Sequence, residues 1–455
     1  MSKSKVQSMT SGSPLRLILV FMVPLLLGNL FQQFYNIVDA MIVGRLLGAD
    51  ALAAVGSSSS VQFLVLGFCM GSCAGFGIPV SQRFGAEDMQ GLRSYVYHSI
   101  VVTTVIAVVL TALTALLCPL IMHIMQTPAD IYEDAYQYLL IIFLGIPFTL
   151  LYNLLSSLLR AVGNSKAPFI FLAISTFLNV FLDLFCIAVL KLGCAGAALA
   201  TITAQALSGI ACLVYIIRCM PVLHPERADC HWNHTVARNL VIMGVPMGLQ
   251  YSITAIGSMV MQSANNGLGS IYVSGFTAGT KVKQLMLCPF DAVSTAMATF
   301  VGQNMGAHKM DRVKQGIRVT LVLAVGYGLV AGLIMNVAGH FLGSLFVDSS
   351  NVSVIDAAAR YMSALGILYW MLAILDVTRY AIQSLGFSAL SVISGALEMV
   401  ARSLVATIFV PLFGYTAICW TDQAAWLAAC AYLIPMLLHL IHKTEQEQRN
   451  VVTVH

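Results

Sequence analysis

The sequence predicts an all-α integral membrane protein in which twelve transmembrane helices form two pseudo-symmetric lobes of six. Of its 455 residues, 59% are hydrophobic and 9% are charged, whereas a soluble domain carries about 25% charged residues. Apolar runs long enough to span a membrane recur along the chain. The second half also repeats short motifs of the first half. These observations place most of the chain inside a bilayer.

The length of the apolar runs predicts twelve helices, because about 20 apolar residues cross the hydrocarbon core of a membrane. The first run lacks a signal-peptide cleavage site, so we interpret it as a retained span. Several runs are longer than the minimum, which indicates tilt or helix ends that project into water. The predicted helices cover roughly 15–44, 50–80, 92–118, 131–159, 167–190, 194–218, 238–264, 271–302, 315–340, 354–384, 389–410 and 415–441.

The distribution of basic residues predicts the orientation of these helices, since loops rich in Lys and Arg stay in the cytoplasm. If the helices alternate in direction, one side of the membrane receives mainly Arg45, Lys191 and Arg360. The other side receives many more basic residues, among them Arg83 and Arg312. We therefore expect both termini to be cytoplasmic.

A duplication of six helices accounts for the internal repeat. IPVSQRFGAEDMQ at 78–90 matches ATFVGQNMGAHKMD at 298–311, and Pro24 matches Pro246, at offsets of 221 to 223 residues. Because six is even, both copies cross the membrane in the same direction, with an axis along the membrane normal. The predicted division is a cytoplasmic N-terminus at 1–14, an N-lobe at 15–218, a cytoplasmic linker at 219–237, a C-lobe at 238–441 and a cytoplasmic C-terminus at 442–455.

Two parallel six-helix halves are typical of secondary transporters that work by alternating access. The sequence has no GxxxxGK[ST] loop, so it does not indicate ATP hydrolysis. Its 11 cysteines lie mostly in apolar runs and read as small hydrophobic residues, not as a disulfide framework.

Two carboxylates lie within predicted spans of the N-lobe, and such residues are usually functional. By helical rise, Asp39 in the first helix and Asp183 in the fifth lie at similar depth. Asn179 is one turn before Asp183 on the same helix face. The two carboxylates can share a proton, or hold Na⁺ together with Asn179 and the Thr201 hydroxyl. The alternative is that each Asp serves only as a structural hydrogen-bonding group.

Pro24 lies inside the first helix, where a proline frees a carbonyl group and favours a kink. It is a candidate hinge coupled to Asp39, or else a fixed kink.

The C-lobe carries different charges. Glu398 and Arg402 are four residues apart, the favourable order for a structural ion pair. Asp376 and Arg379 are a second candidate pair. Lys281 is a candidate repeller of substrate or ion, or a side chain that reaches along its helix toward water. The sequence leaves the roles of Lys283 and Asp291 open.

Polar and aromatic residues are expected to face a central cleft, where aromatic rings and acids suit organic cations. The alternative for each is a hydrogen bond between helices. The candidates are Gln32, Tyr35, Asn36, Tyr138, Asn153 and Gln205. The linker residues His224, Cys230, His231 and His234 lack a standard metal-site spacing, so we expect a solvated loop with no metal or cofactor there.

Over its whole length, the chain resembles the multidrug and toxic compound extrusion (MATE) transporters of the MOP flippase superfamily, and its pattern is similar to that of bacterial members. The matching text includes FYNIVDAMIVGRLLG, PVSQRFGA, FVGQNMGA, LLRAVGNSKAP, NVFLD and GAALAT. The resemblance implies a V-shaped fold and export of cationic, amphipathic drugs or metabolites in exchange for H⁺ or Na⁺. It also implies a cation-coupling site on Asp39, Asn179, Asp183 and Thr201. The expected location is the bacterial cytoplasmic (inner) membrane.

One branch of that family carries an acid in the seventh helix, shortly after the residue that matches Pro246. This sequence has Gln250 in that stretch, and Asp376 is two residues from the corresponding acid of the tenth helix. A C-lobe cation site of that kind is therefore not expected.

Two other functions compete with drug antiport. A lipid-linked precursor flippase of the same superfamily would often add helices and several basic cavity residues, whereas the N-lobe here is acidic. A membrane-embedded enzyme would want a DDxxD cluster or a His-rich metal set, and the sequence has neither. We expect a transporter, not an enzyme, that is a monomer in contact with membrane lipid and small-molecule substrates and does not bind nucleic acid.

Overall fold

The computed structural model describes residues 7–125, 127–347 and 350–453, apart from the side chains of residue 49 and of residues 449–453. Within these ranges the secondary structure is helical and there is no strand. Eleven of the described helices are long and apolar enough to cross a membrane, and one bent pair supplies a twelfth span. The predicted all-α class and the twelve spans are confirmed. The predicted termini, 1–14 and 442–455, lie partly outside the described residues.

Seven α-helices supply the six spans of the first half. They are α1 (Pro14–Leu46), α2 (Ala49–Gly85), α3 (Met89–Ile124), α4 (Tyr132–Leu144), α5 (Ile146–Ala161), α6 (Lys166–Leu184) and α7 (Gly193–Cys219).

The fourth span differs from the single straight helix predicted at 131–159. It consists of α4 and α5, which meet at an angle of 44°. Pro147 follows the break and has no backbone N–H to donate, so the hydrogen-bond ladder of α4 cannot continue through it. Gly145 occupies the break because a Cβ atom there would lie 2.2 Å from Ile202 Cγ2 of α7.

Eight further α-helices follow a linker that contains two short 3₁₀ turns, Pro221–Leu223 and Arg227–Asp229. The linker is shorter than predicted, since His234 already begins α8. The ninth predicted helix, at 315–340, also begins before residue 315, and the last predicted helix extends beyond residue 441. The helices are α8 (His234–Asn266), α9 (Ser270–Gly306), α10 (Met310–Val337), α11 (Gly339–Ser344), α12 (Val352–Ser384), α13 (Ser388–Leu404), α14 (Val410–Phe413) and α15 (Tyr415–Thr453).

A π-helical turn occurs at corresponding places in the two halves. Phe185–Val189 follows α6, and Val405–Phe409 follows α13. Single π turns inside longer helices are uncommon and frequently lie at functional sites. Their correspondence extends the sequence repeat to a local distortion of the backbone.

The chain divides into two compact units, and two of the three borders along the chain lie close to a proline. The first unit contains Val23–Gly248 and the segment ending at Ser8, and the second contains Met9–Met22 and the chain from Leu249 onward. The border in α1 therefore lies next to Pro24, and the border in α8 lies two residues after Pro246. The two prolines that the repeat aligns occupy matching positions in the architecture.

In the first unit, the linker and the start of α8 pack on the other helices. Arg93 of α3 forms ion pairs with Asp229 at 2.8 Å and with Glu226 at 3.0 Å. The backbone N–H of Asn233 donates to His98 Nε2 at 2.8 Å. The linker is thus attached to α3 and is not a freely solvated loop.

In the second unit, α10 and α12 cross at a point where both helices need glycine. A Cβ atom on Gly332 would lie 2.3 Å from the carbonyl oxygen of Gly366. Small residues allow helix backbones to approach closely inside a membrane, where packing contacts replace the hydrophobic effect. This pair therefore fixes the distance between the two helices.

The segment before α1 is held on the second unit by polar side chains. The buried Met9 donates its backbone N–H to Gln303 Oε1 at 2.8 Å, and its carbonyl oxygen accepts from Asn304 and Arg312, each at 3.1 Å. Arg312 Nη1 also donates to the Gly12 carbonyl oxygen at 2.9 Å. Gln303 belongs to the repeated motif that the sequence singled out, so that motif has a structural task in this half.

Candidate functional site

Asp39 and Asp183 come together in the first unit. Asp39 lies in α1 and Asp183 in the last turn of α6. Their carboxyl groups are within hydrogen-bonding reach of each other. The expectation that similar depth brings them together is therefore met, although they are 144 positions apart along the chain.

Three small polar residues place one face of α6 against the protein interior. Ser175, Asn179 and Asp183 recur every four residues, and all three are buried. The Ser175 hydroxyl donates to the Ala204 carbonyl oxygen of α7 at 2.7 Å. Residues four apart lie on one helix face, so this bond turns Asn179 and Asp183 toward the interior as well.

The site contains an unusual concentration of buried polar atoms without a hydrogen-bond partner among the described residues. They include both side-chain oxygens of Asp183, both polar atoms of the Asn179 amide, and Asp39 Oδ1. Two ionised carboxylates only accept hydrogen bonds, so neither satisfies the other until a proton lies between them. Leaving such atoms unpaired costs about 1–3 kcal/mol each, and more for charged groups. The unpaired carboxylate and amide oxygens therefore suit a bound cation.

Tyrosine and threonine hydroxyls surround the carboxylates. The Tyr35 hydroxyl lies 3.1 Å from Thr201 Oγ1, which joins α1 to α7. Tyr138 of α4 is 5% exposed and lies near both carboxylates and near Gln62 of α2. The first unit thus directs side chains from five helices to one place.

Of the candidate cleft residues, Tyr35 and Tyr138 lie near both carboxylates. Asn153 donates to the Thr149 carbonyl oxygen of its own helix at 2.8 Å. Gln32 and Asn36 contact each other at 3.4 Å in exposed positions. Gln205 Oε1 is buried without a partner among the described side chains. Gln62 was not identified from the sequence, because a single Gln after a run of serines gives no periodic signal.

The oxygen donors of the site match a hard cation. The two carboxylates, the Asn179 amide oxygen and Thr201 Oγ1 are of the oxygen type that such ions prefer. The same carboxylates can instead hold one shared proton. Both chemistries use the residues that the sequence proposed.

The linker histidines have other contacts. His224 Nε2 is 2.8 Å from the Ile216 carbonyl oxygen, and His234 Nδ1 accepts from Trp232 Nε1 at 3.2 Å. Across the described ranges, no group of three His, Cys, Asp or Glu side chains could hold a metal ion.

A buried chain of charges runs through the second unit. Lys283 Nζ lies 2.6 Å from Asp422 Oδ2, and Asp422 Oδ1 accepts from Arg402 Nη2 at 3.2 Å. Arg402 Nη2 lies 3.4 Å from Glu398 Oε2, so the predicted pair is present. Glu398 also binds Arg379. Asp422 was not identified from the sequence, because its partners are far away along the chain.

The structure corrects the second candidate pair. Arg379 binds Glu398 of α13 instead of Asp376, which is three residues away on its own helix. The Glu398 carboxylate projects across from a facing helix and lies within reach of the guanidinium group, which sequence spacing alone does not reveal. Gln250, in the stretch that follows Pro246, accepts a hydrogen bond from Gln383 at 2.9 Å.

Comparison with known proteins gives matches over most of the chain. The MatE family model matches residues 24–185 and again residues 246–408, once in each half. The probable multidrug resistance protein YpnP of Bacillus subtilis (strain 168) is 31% identical over 346 residues, which is 76% of this chain and 77% of the relative.

More distant matches widen this comparison. The FAD transporter of Shewanella oneidensis is 21% identical over 378 residues, covering 81% of this chain and 82% of the relative. A solved structure described as the outward-facing conformation of a multidrug resistance MATE family transporter of the MOP superfamily superposes with a TM-score of 0.89. It is 20% identical and covers 96% of this chain and 98% of its own, so it is similar in fold.

Proposed function

The chain belongs to the MatE family of membrane transporters, and on that premise we propose that it is a secondary active antiporter exporting cationic, amphipathic compounds in exchange for H⁺ or Na⁺. It is a multi-pass membrane protein with a transporter's architecture and no enzymatic role. We further propose that it acts as a monomer in a bacterial cytoplasmic membrane with both termini in the cytoplasm.

The Asp39–Asp183 pair is the single observation that carries this proposal. Two carboxylates within a spanning region are costly unless a cation or proton neutralises them. Here they adjoin the unpaired amide of Asn179 and the Thr201 hydroxyl. Such a set binds a proton or Na⁺ and releases it when its surroundings change, which is what a coupling site must do.

Transport of the ion and of the substrate is coupled if binding of one weakens binding of the other. Binding of the ion at Asp39 and Asp183 removes net negative charge and adds contacts between α1 and α6. Because linkage is reciprocal, an ion that weakens substrate binding is itself released when substrate binds. The position of Pro24 at a unit border in α1 supports its assignment as the hinge at which this helix responds.

The charge of the substrate is a separate part of the proposal. The acidic first unit favours cations, and relatives such as YpnP are named for multidrug resistance. Another relative is named for FAD, which is anionic. A lipid-linked precursor flippase is less well supported, since Lys283, Arg379 and Arg402 are held in ion pairs.

Efflux of ethidium from proteoliposomes tests the proposal. A pH gradient and a Na⁺ gradient are imposed in turn on the wild type, on Asp39→Asn and on Asp183→Asn. We expect one gradient to drive efflux in the wild type and both variants to lose it while keeping normal expression and a monodisperse elution profile.

Asp130→Asn is the matched control, because Asp130 is an exposed acid in the loop before α4. It should transport like the wild type. Wild-type efflux from both carboxylate variants would overturn the proposed coupling site. If neither gradient moves any of the cations tested, the proposed substrate class is overturned.

A further inference from the structure

A cavity of about 450 Å³ lies in the second unit, apart from the carboxylates of the first. It is bounded by the first turns of α9, by Phe346 and Val347 after α11, and by Asn351 and Val354 at the start of α12. Ligand-binding cavities commonly have volumes of about 300–1,000 Å³. The space is therefore sufficient for a small organic molecule.

The lining combines one positive charge with apolar and hydroxyl groups. Val273, Phe346 and Val354 supply apolar surface, and Thr277 and Asn351 supply polar groups. Lys281 is the charged member of the described lining. It lies 11 residues into α9, which is about 16 Å from the start of that helix.

Among the residues that the structure describes, Lys281 forms no ion pair, unlike its neighbour Lys283. Lys283 is bound to Asp422 at 2.6 Å. No acidic side chain lies within 4.0 Å of Lys281 among the residues that the structure describes. An unpaired ammonium group in a spanning helix is uncommon, and such groups mark ligand or ion pathways.

From this cavity and the lysine in its described lining, we propose that the second unit has a binding site for amphipathic monoanions. The Lys281 ammonium group binds the carboxylate or phosphate of the ligand. Val273, Phe346 and Val354 contact its apolar body. A single point charge selects one anionic group and places no strict demand on its geometry, because lysine lacks the planar fork of arginine.

Anionic groups of this kind have two sources, namely lipid headgroups and dissolved amphipathic acids. The site is the same for both. It does not depend on the antiport mechanism, since binding to it is measured without any ion gradient. A failure of coupling at Asp39 and Asp183 would therefore leave this proposal standing, and the reverse is also true.

Binding of dansylaminoundecanoic acid to the purified full-length protein in neutral detergent tests the site. Its fluorescence rises on entering an apolar cavity, and its methyl ester is the matched uncharged probe. We expect Lys281→Gln to weaken binding of the acid by roughly tenfold or more, as for loss of a hydrogen bond to a charged group. Binding of the ester should be unchanged, and Lys281→Arg should restore binding of the acid.

Two further variants distinguish the effect of the Lys281 charge from the effect of the cavity volume. Ser274→Trp fills the cavity from an exposed position and should weaken binding of both probes. Lys191→Gln removes an exposed lysine from the first unit and should change neither.

Displacement of the probe identifies the source of the natural anion. Competition by phosphatidylglycerol assigns the site to a lipid headgroup, and competition by cholate alone assigns it to a dissolved acid. Equal affinity of the acid for wild type and a folded Lys281→Gln protein would overturn the proposal, as would equal affinity of the acid for wild type and Ser274→Trp.

Discussion

The Tyr35 hydroxyl lies 3.1 Å from Thr201 Oγ1, and this contact joins α1 to α7 beside the Asp39–Asp183 pair. Thr201 therefore has two possible uses for one oxygen: it holds Tyr35, and it is available as a neutral ligand for a cation. Both uses depend on the hydroxyl group and not on the methyl group of the side chain.

Replacing Thr201 by Val should weaken binding of the coupling ion, because the substitution keeps the shape and removes the oxygen. We expect the ion concentration for half-maximal efflux to rise about tenfold, as for loss of one hydrogen bond to a charged group. Thr201→Ser should behave like the wild type. The measurement is ethidium efflux as a function of the driving ion.

Thr104→Val is the control for that series, since Thr104 is exposed and bonds only to the Ile100 carbonyl oxygen of its own helix at 2.8 Å. An unchanged ion dependence in Thr201→Val would show that its oxygen is not used.

Asp422→Asn should destabilise the second unit strongly. The substitution leaves the partly buried Lys283 and the buried Arg402 without their shared carboxylate. Breaking a buried ion pair from one side costs about 3–5 kcal/mol. The temperature at which the detergent-solubilised protein loses its monodisperse elution peak should fall by several degrees.

Glu447→Gln gives the comparison for an exposed pair, in which Lys443 and Glu447 are 4.0 Å apart. Exposed pairs contribute about 0–1 kcal/mol, so its transition should stay near that of the wild type. Equal stability of Asp422→Asn and Glu447→Gln would contradict the assigned role of the network.

Gly332→Val should prevent normal packing of α10 on α12. Its Cβ atom alone would lie 2.3 Å from the Gly366 carbonyl oxygen, so the backbones must separate. Overpacking costs about 1–3 kcal/mol or more, and the yield of folded protein should fall.

Gly326→Val is the matched control on the same helix, because a Cβ atom there meets nothing within 4 Å. It should fold with wild-type yield. A normal yield for both variants would mean that the close approach of α10 and α12 is dispensable.

Arg312→Ala should release the segment before α1 from the second unit. It removes donors to the carbonyl oxygens of Met9 and Gly12 and to the Asn304 side chain. We expect hydrogen exchange at the Met9 amide to accelerate by roughly tenfold or more, the equivalent of one charge-assisted hydrogen bond. Mass spectrometry of N-terminal peptides measures this rate.

Arg318→Ala is the control for charge, since Arg318 is exposed on the same helix. It should leave exchange at Met9 unchanged. Protection of Met9 that persists in Arg312→Ala would assign its anchoring to Gln303 and Asn304.

The global fold and the centre of the site were predictable because they rest on strong local signals. Apolar length identifies spans, and a carboxylate inside a span is rare enough to single out Asp39 and Asp183. The four-residue spacing of Asn179 and Asp183 placed them on one face before any contact was known. The repeat located Pro24 and Pro246 as matching positions.

Contacts between segments far apart in sequence were harder to predict. The i,i+4 rule found Glu398 and Arg402 but not Asp422, which binds Arg402 from α15. The i,i+3 spacing suggested Asp376 for Arg379, where the facing Glu398 is the partner. Gln62 lies near Tyr138 because α2 packs close to α4, which the sequence does not reveal. Spacing within one helix is readable from sequence, whereas the choice between helices depends on packing.

The division of α1 between two units has a consequence for biosynthesis. Met9–Met22 belong to the unit whose remaining residues begin at Leu249, so the ribosome makes them long before their neighbours. At about 5–20 residues per second, translation of the second half takes on the order of 10–40 s. During that delay Ile18 and Phe21, fully or nearly fully buried in the finished protein, must be shielded by lipid or by the insertion machinery. Packing of Met9–Met22 into its unit therefore follows synthesis of the second half of the chain.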